Sequence, residues 1–137
     1  YAARAGLSPL VIDGSEPGGQ LMGTSTVENW PGENSISGPL LMEKMRSHAE
    51  HFGTRFLSTT ITSVDFLEPL LQITTKQNKT ITARAIIIAT GATPKRLGCP
   101  GEKEYWGKGV TTCAVCDGTF YKNRPVVIVG GGDTAME

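Results

Sequence analysis

The chain has 137 residues, room for about one domain, and its 13 Lys+Arg are balanced by 13 Asp+Glu. A net charge of zero argues against a binder of nucleic-acid backbones, and 39 % hydrophobic with 19 % charged residues excludes a disordered composition. The apolar runs are of strand length, short of the roughly 18 residues of a membrane span; no basic-then-apolar leader opens the chain, and three cysteines are too few for a secreted disulfide scaffold.

Tyr1, Ala2, Ala3, Arg4 and Ala5 read as the last turn of a helix stopped by Gly6. Residues 133–137 read as the first turn of another. Ends that fall inside helices lead to the expectation that this chain is the middle of a larger protein. Residues 8–13 form a predicted strand centred on Val11 and Ile12, and Pro17, Gly18 and Gly19 break the chain after it. The clearest helix runs over 39–52. Pro39 suits its first position, Leu41, Met45, Ala49 and Phe52 form one apolar stripe, and Gly53 ends it. Residues 55–57, 61–66 and 70–75 read as strands, with a polar turn at Gln77, Asn78 and Lys79 and a returning strand from Thr80. Ile86, Ile87 and Ile88, and later Val126, Val127, Ile128 and Val129, are continuous apolar runs, as expected of strands buried on both faces. Helices alternating with such strands, plus an interposed strand cluster, define an α/β architecture.

Four motifs carry chemistry. Asp13 and Gly14 end a strand that follows a helix, the place where an acidic residue reads a ribose hydroxyl in a dinucleotide site; a simple turn aspartate is the competing reading. Thr90, Gly91 and Ala92 follow the 86–88 run with side chains small enough for a flat ligand to approach the backbone, or simply mark a strand exit. Cys113 and Cys116, two residues apart, can close a small disulfide ring or grip a metal. With Cys99 and either His48 or His51 they make a mixed zinc site arithmetically possible, although both histidines lie on the 39–52 helix and read as ordinary helix side chains. Asp117 adjoins Cys116 as a carboxylate able to exchange protons with a thiolate, or as a helix cap. Cys99, between Gly98 and Pro100, has no obvious base or partner, and Trp30 and Trp106 read as packing residues. Finally, the 126–129 run enters Gly130-Gly131-Gly132-Asp133-Thr134-Ala135. Gly130 permits a tight turn, Gly132 lets the backbone approach a pyrophosphate, and Ala135 is small enough for close helix–strand packing.

Taken in order, Gly18-Gly19-Gln20-Leu21, Val27-Glu28-Asn29-Trp30-Pro31-Gly32, Gly38-Pro39-Leu40-Leu41-Met42, Ile88-Ala89-Thr90-Gly91-Ala92, Cys113-Ala114-Val115-Cys116-Asp117-Gly118 and Gly130-Gly131-Gly132-Asp133-Thr134-Ala135-Met136-Glu137 resemble the low-molecular-weight thioredoxin reductases over essentially the whole chain. The resemblance implies a two-domain Rossmann-like flavoprotein of the three-layer ββα kind, truncated at both ends. Residues 1–95 would belong to the FAD-binding domain and 96–137 would open an NADPH-binding domain that carries the cysteine pair. Asp13, Gly14, Gly18, Gly19, Gln20, Asn29, Thr90, Gly91 and Ala92 would contact FAD; Gly130, Gly132, Asp133 and Thr134 would contact NADPH. No metal is implied.

The resemblance also implies electron flow from NADPH through FAD to a Cys113–Cys116 disulfide and on to thioredoxin, in a cytoplasmic homodimer. Cys116 would lie against the flavin, Cys113 would attack the substrate disulfide, and Asp117 would give and take the proton. The family's N-terminal FAD glycine loop would precede Tyr1, while its basic NADPH-phosphate motif and C-terminal FAD segment would follow Glu137. Val115 stands where the family often has threonine. The flavoprotein component of alkyl hydroperoxide reductase shares this core and is the nearer alternative; a zinc-stabilised binding module is the alternative from another class.

Overall fold

The computed structural model describes residues 1–67 and 69–136. Glu137, expected within the last helical turn, lies outside the described residues. The chain forms two compact units, Tyr1–Gly91 and Ala92–Glu137.

The first unit opens on a helical turn. Gly6 (φ 73°) donates to the Ala3 carbonyl and Leu7 to that of Ala2, the paired bonds by which a left-handed residue closes a helix end. Strand β1 (Leu10–Ile12) then pairs in parallel with β2 (Arg55–Leu57), Leu10 opposite Arg55 and Ile12 opposite Leu57. Parallel neighbours need a crossover, and helix α1 (Gly38–His51) supplies it. The boundaries of α1 have local causes. The Ser37 hydroxyl accepts from the Leu40 N–H, proline occupies the first turn, and Gly53 (φ 90°) and Thr54 donate to Glu50 and Ala49 in a second left-handed stop.

The expected apolar stripe on α1 is only partly realised. Leu41 is buried, whereas Met45 and Phe52 stay exposed. Burial concentrates at the N-terminal end because the preceding loop folds back there. A 3₁₀ turn (Gly19–Gly23) and a reciprocal Val27–Ile36 backbone bridge bring Val27, Ile36 and Leu41 into one cluster, with Leu21 against it.

Gly38 is the joint of that arrangement, since its N–H donates to the Thr24 carbonyl at 2.9 Å. A Cβ on Gly38 would stand 1.8 Å from the Leu21 carbonyl oxygen, a backbone atom that cannot swing away. We expect Gly38→Ala to destabilise the first unit by about 3 kcal/mol or more, at the upper end of overpacking costs. A thermal melt of the full-length variant coinciding with wild type would contradict this.

Strands β3 (Ile61–Asp65), β4 (Leu71–Thr75) and β5 (Thr80–Ala83) form an antiparallel sheet in that order. Central β4 buries Ile73 and Thr75 on one face, as alternation requires. Asn78 takes a left-handed conformation (φ 58°) in the β4–β5 turn, which asparagine tolerates.

Two sequence expectations are corrected. Residues 86–88 and 126–129 are not strands: Ile87 is 87 % and Val127 90 % exposed, and neither run has a ladder partner among the described residues. An apolar run supplies burial energy but no hydrogen-bonding neighbour, and a strand exists only where a second strand accepts its backbone groups.

Among its described residues the second unit holds three short helices, α2 (Glu102–Tyr105), α3 (Ala114–Asp117) and α4 (Asp133–Met136), with a 3₁₀ turn (Gly118–Tyr121) after α3.

Candidate functional site

The cysteine pair sits at the start of α3, where two side chains and one backbone hydrogen bond organise the turn. The Thr111 hydroxyl accepts from the Cys113 N–H at 3.1 Å, a local threonine turn. Cys113 is the N-cap of α3, and its Sγ accepts from the Cys116 N–H at 3.2 Å. The Asp117 N–H donates to the Cys113 carbonyl at 3.0 Å, which closes the turn. This brings the Cys113 and Cys116 Cα atoms to 5.2 Å, and the two sulfurs are bonded. Cys113 is half-buried and Cys116 exposed, while Asp117 is half-buried with Oδ2 accepting from the Thr111 hydroxyl. Cys99 is an exposed free thiol, and among the described residues no three His, Cys, Asp or Glu side chains gather as a metal would require. His48 and His51 instead meet the Phe52 ring edge-on, at 5.2 and 5.1 Å between centroids.

Within the same unit, Gly130 (φ 128°) turns the chain out of the 126–129 run. A Cβ at Gly130 would meet the Ala135 Cβ at 3.5 Å, so the small residue expected at 135 does pack against the first glycine. Cβ atoms at Gly131 and Gly132 would meet nothing, leaving the backbone of the loop open to approach. Asp133 and Thr134 begin α4 directly after it.

In the first unit, Asp13 follows β1, its N–H reaching the Leu57 carbonyl at 3.4 Å. Its Oδ2 accepts from Arg46 at 2.8 Å, while Oδ1 is buried without a hydrogen-bond partner among the described residues. An unsatisfied buried carboxylate oxygen is costly, and a ribose hydroxyl donating to Oδ1 would relieve it. Gly14 (φ 69°) turns the chain after Asp13; Gly18 and Gly19 introduce the 3₁₀ turn that carries Gln20. Asn29 is exposed in the 28–35 loop, and Thr90, Gly91 and Ala92 lie in irregular exposed backbone.

Sequence reasoning missed three polar residues. Arg46 holds Asp13, pairs with Glu50 at 3.0 Å and stacks over Phe56 with its guanidinium carbon 4.1 Å from the ring centroid; only its Glu50 partner, one turn along α1, was visible as a spacing. Thr111 was signalled only by its place two residues before a cysteine. Glu102 is buried, and its carboxylate accepts the Leu97 and Gly98 N–H groups at 2.9 and 2.8 Å.

Those hydrogen bonds, Leu97's foremost, together with the charge of Arg96, hold the Glu102 carboxyl below the usual range against the opposing effect of desolvation. A folded pKa below the unfolded one means that the unfolded chain binds more protons in acid. The contribution is therefore complete above the ordinary glutamate pKa of about 4.3 and is lost as pH falls through the lower folded value. We expect Glu102→Gln to destabilise the second unit at neutral pH and to flatten its acid dependence; parallel stability-versus-pH curves for variant and wild type would contradict this.

One α/β chain thus carries a bonded Cys-x-x-Cys pair, an aspartate at the end of a strand and a glycine-rich loop. A family model described as pyridine nucleotide-disulphide oxidoreductase matches residues 1–137, and the chain belongs to that family. A thioredoxin reductase of Buchnera aphidicola and a protein of Pseudomonas fluorescens named glucosaminate ammonia-lyase are each 51 % identical over 100 % of this chain and 43 % of their own length. The structure of a thioredoxin reductase from Giardia duodenalis superposes with a TM-score of 0.86 at 47 % identity, covering 98 % of this chain and 44 % of that one. The chain thus spans less than half the length of these relatives.

Proposed function

We propose that the protein is a thioredoxin-disulfide reductase that draws electrons from NADPH. The observation that carries this reading is the bonded Cys113–Cys116 pair with Asp117 in the same helical turn. The named relatives support it. Residues 1–95 are read as part of an FAD-binding domain and 96–137 as the opening of an NADPH-binding domain. We further read it as a cytoplasmic homodimer with no nucleic-acid or membrane partner. The homodimer follows from the resemblance alone, and among the described residues no helix is long and apolar enough to cross a membrane.

The residues present fit the two cofactors. The unpartnered Asp13 Oδ1 suits an FAD ribose hydroxyl, with Gly14, Gly18, Gly19, Gln20, Asn29, Thr90, Gly91 and Ala92 as further contacts. The open backbone at Gly131 and Gly132 suits a pyrophosphate, with Gly130, Asp133 and Thr134 around it. FAD, when bound, supplies the electron pair that opens the disulfide, replenished from NADPH.

The chain's own residues then perform thiol–disulfide exchange. The Cys113 thiolate attacks one sulfur of the thioredoxin disulfide, forming a mixed disulfide and expelling a thiolate. Asp117 delivers a proton to that leaving sulfur. Asp117, now a carboxylate, takes the Cys116 proton; the resulting thiolate attacks Cys113 Sγ, which restores the intramolecular disulfide, and the second thioredoxin sulfur takes that proton from Asp117 as it is released. The dithiol loses two electrons and two protons, and thioredoxin gains both.

The full-length protein is expected to be yellow and to oxidise NADPH only while oxidised thioredoxin is present. Ammonia release from glucosaminate without NADPH consumption would favour the lyase activity that one relative's name describes, and lack of NADPH turnover with thioredoxin would overturn the reading. Asp117→Asn is expected to slow thioredoxin reduction on the order of a hundredfold with FAD still bound, as loss of a general acid does; wild-type turnover by that variant would remove Asp117 from the reaction.

A further inference from the structure

We propose that Thr111 is a positioning residue for the proton-carrying carboxylate of Asp117. The proposal rests on the reading of Asp117 given above and adds a residue to it. A threonine hydroxyl has one hydrogen to donate and two lone pairs to accept with. At Thr111 the partner on one side is the Cys113 N–H, which can only donate, so the hydroxyl oxygen must accept there. Its own hydrogen is thereby free to point at Asp117 Oδ2. One hydroxyl thus ties the backbone of the first redox cysteine to the carboxylate four residues after it.

The direction of this bond has a chemical consequence. With Oδ2 accepting from Thr111, the proton that Asp117 carries is assigned to Oδ1. Asp117 then need not choose between two equivalent oxygens, nor rotate about its Cβ–Cγ bond before each transfer. Geometry of this kind contributes to rate through orientation rather than through any contact with substrate. A threonine that only closed the turn before α3 would affect stability, and its effect on rate would not depend on whether residue 117 can hold a proton.

The test uses the full-length protein, chemically reduced and freed of reductant, reacting in a single turnover with oxidised glutathione. This aliphatic disulfide has a leaving thiolate that needs a proton, and the reaction involves neither NADPH nor thioredoxin. Its result is therefore separable from that of the thioredoxin assay. Thr111→Val is expected to slow the reaction about tenfold, a part of what general acid catalysis supplies, while Thr111→Ser restores it to within about threefold. On an Asp117→Asn background, Thr111→Val is expected to cause no further loss, because the carboxyl proton it positions is gone.

Full speed in Thr111→Val, failure of serine to rescue, or losses that multiply in the double variant would each overturn the proposal. So would a wild-type rate no faster than that of a free aliphatic dithiol. Flavin absorbance serves as the folding control. Thr111→Ala replaces the valine variant if that one loses flavin, and loss of flavin by both would assign Thr111 to the fold instead.

Discussion

Replacing Cys116 by serine in the full-length protein is expected to lower NADPH-dependent thioredoxin reduction by on the order of a thousandfold or more, as removal of a covalent participant does. FAD stays bound, because the first unit's candidate contacts to it do not include this side chain. The resemblance assigns Cys116 as the sulfur facing the flavin and the one that resolves the mixed disulfide. Without it, Cys113 can attack thioredoxin once and cannot be released. The variant should therefore accumulate a covalent adduct with thioredoxin, visible as one added thioredoxin mass that reductant removes. An adduct through Cys99 in place of Cys113, or undiminished turnover, would refute the assignment.

The second large effect concerns residues 1–137 expressed by themselves. Among the described residues, the buried apolar side chains are Val27, Ile36, Leu41 and Ile73, while Ile87, Ile88, Val115, Phe120 and all four residues of 126–129 are more than half exposed. Each large apolar side chain left in water forfeits about 1.5–3 kcal/mol, against a domain stability of only about 5–15 kcal/mol. We expect no cooperative thermal transition, strong binding of a hydrophobic dye and no retained flavin, the signature of a loosely packed state. A sharp melt with stoichiometric FAD would show that these side chains are not a liability.

The parts of the fold that were legible in the sequence have local causes. Pro39 and Gly53 bracket α1, and Asn78 marks the β4–β5 turn, because capping and turn geometry involve residues a few positions apart. The runs 86–88 and 126–129 were misjudged for the opposite reason: continuous hydrophobicity reports a preference for burial, whereas a ladder depends on a distant neighbour. The same distinction divides the site. Two cysteines one helical turn apart announce their own proximity, and the glycine loop with Ala135 states its own packing. The hold of Arg46 on Asp13 spans 33 positions and had no local trace. Thr111 lies nearer, yet its role depends on which groups donate and which accept. Gly38 stood out in the sequence as part of the Gly38-Pro39-Leu40-Leu41-Met42 motif; that its hydrogen atom faces the Leu21 carbonyl emerges only once the 19–23 turn has folded back.

The central claim, that Cys113 and Cys116 are a disulfide opened by NADPH, is tested most directly by counting thiols. The full-length flavoprotein is alkylated anaerobically before and after addition of NADPH, and the labelled peptides are identified by mass. Before addition only Cys99, among the three cysteines of this chain, should carry label; afterwards Cys113 and Cys116 should gain one label each, while Cys99 is unchanged. Labelling of Cys113 and Cys116 that does not respond to NADPH, or a native disulfide that includes Cys99, would contradict the account.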